Sequence, residues 1–128
     1  MKTAKLKNLD MNEDVYALRR AVIDLIYEAK ETLPDLPRIE VRITVDSDKL
    51  NGVARMSEKM IWIPANSAKR SRNELRRTVF HEICHAVFGT EHVNGCALMG
   101  PVYKDIDKRV AHRLLLKYAK KTYKEVVL

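Results

Sequence analysis

Cysteine is nearly absent from this chain. Its 128 residues hold two, Cys84 and Cys96, too few for the disulfide framework of a small secreted domain. No apolar run approaches the length of a membrane span. The stretch MKTAKLKNLDMNEDV lacks the hydrophobic centre and small-residue cleavage site of a secretory signal. These absences lead to the expectation of a cytoplasmic protein with no membrane attachment, working as a monomer. Glycine and proline are also scarce, four of each, and no low-complexity linker or internal repeat divides the chain. The length suits one domain with a modest core.

Acidic residues are in the minority, with 17 Asp and Glu against 24 Lys and Arg for a net charge of +7. Lys69, Arg70, Arg72, Arg76 and Arg77 form one basic cluster, and Lys117, Lys120, Lys121 and Lys124 stud the C-terminal region. Such a field suits nucleic acid or an acidic protein partner. It equally suits solvated helix faces, which is the stronger reading here. Aromatic residues are few, at 6% of the chain.

What is present reads as alternating local signals. Residues 13–32 carry an apolar stripe of Leu18, Val22, Leu25, Ile26 and Ala29, with Asn12 as cap and Glu13 and Asp14 in the first turn. The prolines of TLPDLP end that helix. RIEVRITV alternates as a half-buried strand, with Ile39, Val41, Ile43 and Val45 on one side. VARM and MIWIP read as a hairpin entered through Asn51-Gly52 and closed by Pro64, with Trp62 counted among the core residues.

Ser71-Arg72-Asn73-Glu74 is a capping box that opens a helix running to Phe88, and Gly89 stops it. The core stripe of that helix is Leu75, Val79, Ile83, Ala86 and Val87. After a loop, a last helix spans 105–123 and buries Val110, Leu114 and Tyr118. The expected fold is therefore a single α+β domain. Residues 1–70 form a helix and a small three-stranded sheet, 71–92 the central helix and its exit, 93–104 a loop, and 105–123 the C-terminal helix.

One stretch carries chemistry. HEICHAVFGTEH, residues 81–92, holds three of the four histidines. On a helix His81 and His85 stack one turn apart on one face and offer two imidazoles to one metal ion, as adjacent ligands of a tetrahedral zinc require. Glu82 lies about 100° further round, where it can act as general base without touching the metal. A catalytic zinc wants a third protein ligand. His92 is the leading candidate, since Gly89 lets the chain fold back. Glu91, Asp105 and His112 compete. Cys96 and Cys84 read as packing thiols.

The stretch HEICHAVFGTEH followed by NGCALMGPVY resembles the metzincin zinc metallopeptidases, whose members share H-E-x-x-H-x-x-G-x-x-H and a methionine-containing turn beneath the metal. The resemblance implies a minimal zincin-like fold, Zn²⁺ held by His81, His85 and His92, and Glu82 as the catalytic glutamate. It places Gly89 at the helix-ending glycine and Met99 at the Met-turn methionine. The spacing departs from the family by one residue, because Gly89 stands four and His92 seven places after His85. That extra residue predicts an altered helix exit near Phe88. GVARMSEKMIWIP and ELRRTVFHEICHA also resemble the SprT-type metallopeptidases and their relatives, some of which act on DNA-bound proteins.

The implied reaction is zinc-assisted hydrolysis of a peptide bond in a protein or peptide substrate, with Gly52–Met56 as the edge strand that aligns it. Tyr103 has two readings, a second oxyanion donor and, the stronger of the two, a loop tyrosine that packs. Two alternatives are a gluzincin-like regulatory protease taking its third ligand from His112, and a basic DNA- or protein-binding module without catalysis.

Overall fold

A computed structural model describes residues 2–44, 53–55 and 59–127, with side chains described for 14–44 and 59–120. The chain runs α1 (Lys2–Thr32), β1 (Glu40–Thr44), β2 (Val53–Arg55), β3 (Met60–Pro64), a 3₁₀ turn (Ala65–Lys69), α2 (Arg72–Phe88) and α3 (Lys108–Val127). This is a small α+β domain. Val45, the Asn51-Gly52 turn, Met56 and the side chains of Asn12, Glu13, Lys121 and Lys124 lie outside what is described.

The three strands form one sheet in the order β1-β3-β2. β3 is central, parallel to β1 with Val41 opposite Ile61, and antiparallel to β2 with Ala54 opposite Ile61. The expected hairpin is present, and β1 lies on its far side. Val41, Ile61 and Ile63 bury their side chains on one face. Trp62 alternates with them and is only half-buried, so it belongs to the opposite face and not to the core. The alternation of a strand makes that outcome unavoidable once Ile61 and Ile63 point inward.

α1 buries the expected stripe of Leu18, Val22, Leu25, Ile26 and Ala29. It begins at Lys2, well before residue 13. Nothing in that stretch breaks a helix, since it has no proline or glycine and Asn12 costs only a few tenths of a kcal/mol inside one.

α3 opens three residues later than expected because Asp107 caps it, its carboxylate accepting from Val110 N–H at 2.9 Å. Its buried stripe is Ala111, Leu115, Tyr118 and Ala119, while Val110 and Leu114 are half-buried. The stripe is thus rotated by one position from the expected one.

α2 is the axis of the domain. It packs against α1, α3 and the sheet, and Leu75 through Cys84 are buried without interruption. Such a helix is covered on nearly every side. Each fully buried Ile or Val here contributes roughly 1.5–3 kcal/mol. The capping box is formed, with Ser71 Oγ accepting from Glu74 N–H and Glu74 accepting from Ser71 N–H.

Burial of α2 also corrects the reading of the basic cluster. Arg76 and Arg77 are buried, and Arg70 donates to the Thr78 hydroxyl. Arg76 makes a two-pronged pair with Glu28 of α1 at 2.7 and 3.0 Å, so only Lys69 and Arg72 of the cluster remain exposed.

Candidate metal centre

His81 and His85 leave α2 one turn apart, and His92 reaches them from beyond the helix end. One ligand nitrogen from each lies within 4.8 Å of the other two. The Nε2 atoms of His81 and His85 are 3.0 Å apart and those of His81 and His92 3.2 Å. Ligand atoms sharing one tetrahedrally coordinated ion would stand about 3.3 Å apart. Glu91 and Asp105 are exposed and outside this cluster. His112 is outside it too.

The helix exit explains how His92 arrives. Gly89 adopts a left-handed conformation, φ 63° and ψ 21°, and its N–H bonds the Cys84 carbonyl five residues back. An ordinary helical bond reaches four back. Thr90 N–H bonds the same carbonyl at 3.1 Å. The last turn is therefore one residue wider than an α turn, of the π type. This wider turn carries the chain back so that His92 reaches His81 and His85.

Two backbone carbonyls set the imidazole tautomers. His81 Nδ1 donates to Leu98 O and His85 Nδ1 to Thr90 O, both at 2.6 Å. A carbonyl only accepts, so each Nδ1 carries the proton and each Nε2 presents a lone pair. Burial pushes the His81 imidazole down to about 4, against the pull of its Leu98 hydrogen bond, and burial also lowers His85. Both rings are therefore neutral near pH 7. Two lone pairs then face each other at 3.0 Å with no proton between them. A cation is what such a donor set fits, and imidazole nitrogen suits divalent first-row metals.

A loop holds two of the three histidines. Val93 N–H, next to His92, bonds Met99 O at 2.8 Å, Cys96 N–H bonds Val93 O, and Gly100 N–H bonds Cys96 O. Gly100 has no room for a side chain, because a Cβ there would stand 2.5 Å from Cys96 O. Met99 is fully buried under the loop.

Arg77, one turn before His81, fastens this loop. Its guanidinium donates to the carbonyls of Ala97 (3.3 Å), Gly100 (3.0 Å) and Val102 (3.4 Å). The chain of contacts runs from Arg77 through the loop to Leu98 O and so to His81. Sequence reasoning missed this, since an arginine in a basic run carries no mark of burial.

No family model, curated protein or solved structure matches this chain. The site must be read from its own geometry.

Glu82 is buried beside the histidines, and among the described residues its carboxylate accepts no hydrogen bond. Burial raises it to about 7, with the Arg77 charge pulling the other way. Tyr103, by contrast, lays its ring over the Arg77 guanidinium at 5.2 Å, a packing contact. Burial and the nearby Asp105 raise its hydroxyl.

Burial pushes the Cys84 thiol up and leaves it inert. Cys96 is half-buried and accepts from the Tyr118 hydroxyl at 2.8 Å and from Met99 N–H. Burial would raise that thiol too, but these hydrogen bonds outweigh it and hold it below the ordinary value.

A second network went unread in the sequence. Glu28 accepts from Arg76 and from His112 Nε2 at 2.8 Å, while His112 Nδ1 faces the Thr32 hydroxyl at 2.6 Å. His112 thus joins α3 to α1 and is committed away from the metal cluster.

Proposed function

We propose that this chain is a zinc-dependent endopeptidase with a minimal zincin-like fold and a metzincin-like site. The observation that carries the reading is the convergence of three Nε2 atoms, two of them on imidazoles with the opposite nitrogen already committed. His81, His85 and His92 would hold the ion. Zinc, when bound, supplies the Lewis acid of the reaction.

The remaining work falls to the chain. A Glu82 carboxylate oxygen takes the proton of the attacking water and returns it to the leaving amine nitrogen. Its buried position and unused acceptors suit that task, because a carboxylate poised near neutral pH both accepts and gives up a proton. β2 pairs only with β3 among the described residues, so its other edge is open to an extended peptide substrate, with packing against α2 close by. A structural zinc has no use for an unpartnered carboxylate beside it, which favours catalysis over a binding module.

The test is hydrolysis of denatured casein by zinc-loaded wild type and by Glu82→Gln, with metal content measured in both. We expect one zinc per chain in each and a rate lower by about 10²–10⁴-fold in the variant. Equal rates would sink the peptidase and leave a metal protein. Absence of zinc from both, with His92→Ala indistinguishable from wild type, would remove the metal reading as well.

A further inference from the structure

A groove of about 590 Å³ opens between α1 and the start of β1. Arg19, Ile23, Tyr27 and Lys30 line it from the helix, and Arg38 and Glu40 from the strand side. None of its walls comes from α2 or from the loop at 93–100, so it is separate from the three histidines.

Its charge is one-sided. Arg19 and Arg38 form no ion pair with any described residue. Lys30 Nζ stands 5.2 Å over the Tyr27 ring, which is itself largely exposed. Glu40, the one carboxylate among the described lining residues, is already matched by Arg42 at 2.8 Å. Among the described residues, three cations therefore face the groove without a compensating anion.

The strand beside it is a sheet edge. Among the described residues β1 pairs with β3 alone. Glu40 N–H points toward β3, where it bonds Lys59 O at 3.0 Å. Successive residues of a strand send their backbone groups to opposite sides, so Val41 and Ile43 direct theirs to the open side. An unpaired row of this kind is a template for another strand.

We propose that this groove binds an extended acidic peptide segment of a partner protein. The segment adds to β1 as a strand, and its carboxylates meet Arg19, Lys30 and Arg38. Main-chain hydrogen bonds supply affinity and the cations supply selectivity. A nucleic acid could meet the cations, but it has no use for a strand's alternating donors and acceptors.

The probe is a fluorescein-labelled decapeptide of alternating valine and glutamate, titrated by anisotropy against the Glu82→Gln chain so that it is not consumed. Its counterparts are the same peptide with lysine for glutamate, the acidic peptide N-methylated at every second amide in either phase, and a single-stranded oligonucleotide of equal length. We expect the acidic peptide to bind at least about tenfold tighter than the lysine peptide, and N-methylation in one phase to abolish binding. The double variant Arg19→Glu, Arg38→Glu should lose a similar factor. Both positions are exposed, and unchanged melting verifies that the variant folds; if it melts lower, Arg19→Gln with Arg38→Gln takes its place. Equal binding of the two peptides, an unaffected charge variant, tolerance of N-methylation in both phases, or tighter binding of the oligonucleotide would each overturn the proposal.

Discussion

At the scale of single residues, Arg77 and Tyr103 lie together and yet carry different expectations. Arg77 hydrogen-bonds the loop carbonyls and not the histidines, and beyond that acts on the site only through its charge, so it is a positioning residue. Lysine in its place keeps the charge but cannot spread donors over Ala97, Gly100 and Val102. Partners that orient metal ligands typically cost 10–100-fold in metal affinity when lost. Arg77→Lys should therefore weaken zinc binding by about that factor, read by competition with a chromogenic chelator, with little change in rate per bound zinc. Unchanged affinity would show that the loop holds its shape without the guanidinium. Tyr103 packs on that guanidinium. Tyr103→Phe should leave kcat within about threefold of wild type, whereas loss of a true oxyanion donor costs about 10²–10³-fold.

At the scale of elements, two junctions govern how the helices hold the site. The first is the exit of α2. Gly89→Ala places a side chain on a left-handed residue and should cost about 1–2 kcal/mol, measured by thermal unfolding. The second is Glu28, which joins all three helices through Arg76 and His112. Burial alone would raise its pKa, but the hydrogen bonds from Arg76 and His112, with the charges of Arg76 and Lys108, outweigh it and hold the carboxyl near 2, against an ordinary 4.5. A depressed carboxylate stabilises the fold fully above its unfolded value and loses that contribution as pH falls toward the folded one. The Glu28 contribution, a few kcal/mol, should vanish between about pH 4.5 and 2. Denaturant titrations across that window should show a steep loss of stability in wild type and a flatter one in Glu28→Gln. Removing the other partner is harsher, since Arg76→Met strands a buried charge at roughly 3–5 kcal/mol.

At the scale of the whole molecule, the proposed metal site would link ion binding to folding. The three histidines come from α2 and from the chain beyond it, and the loop beside His92 is fastened back to α2 by Arg77. An ion that binds only this folded arrangement stabilises it by mass action, about 2.7 kcal/mol at a free concentration 100 times its Kd. Zinc should raise the melting temperature of wild type and not that of His81→Ala.

Much of this was legible in the sequence because the signals are local. The Ser71 capping box, the stop at Gly89, the alternation of MIWIP and the stripe of α1 each rest on neighbours within one or two turns, where backbone geometry leaves few choices. His81, Glu82 and His85 share a short helical stretch, so their juxtaposition follows from the helix alone. The same sequence left the third ligand open between His92, Glu91, Asp105 and His112. Only tertiary structure decided which of them joins the cluster, through a widened last turn and a loop pinned by Arg77. It also took Arg76, Arg77 and His112 out of solvent and away from the roles their letters suggested. The reason is physical: burial and long-range hydrogen bonds depend on which elements pack together, and no residue carries that information by itself.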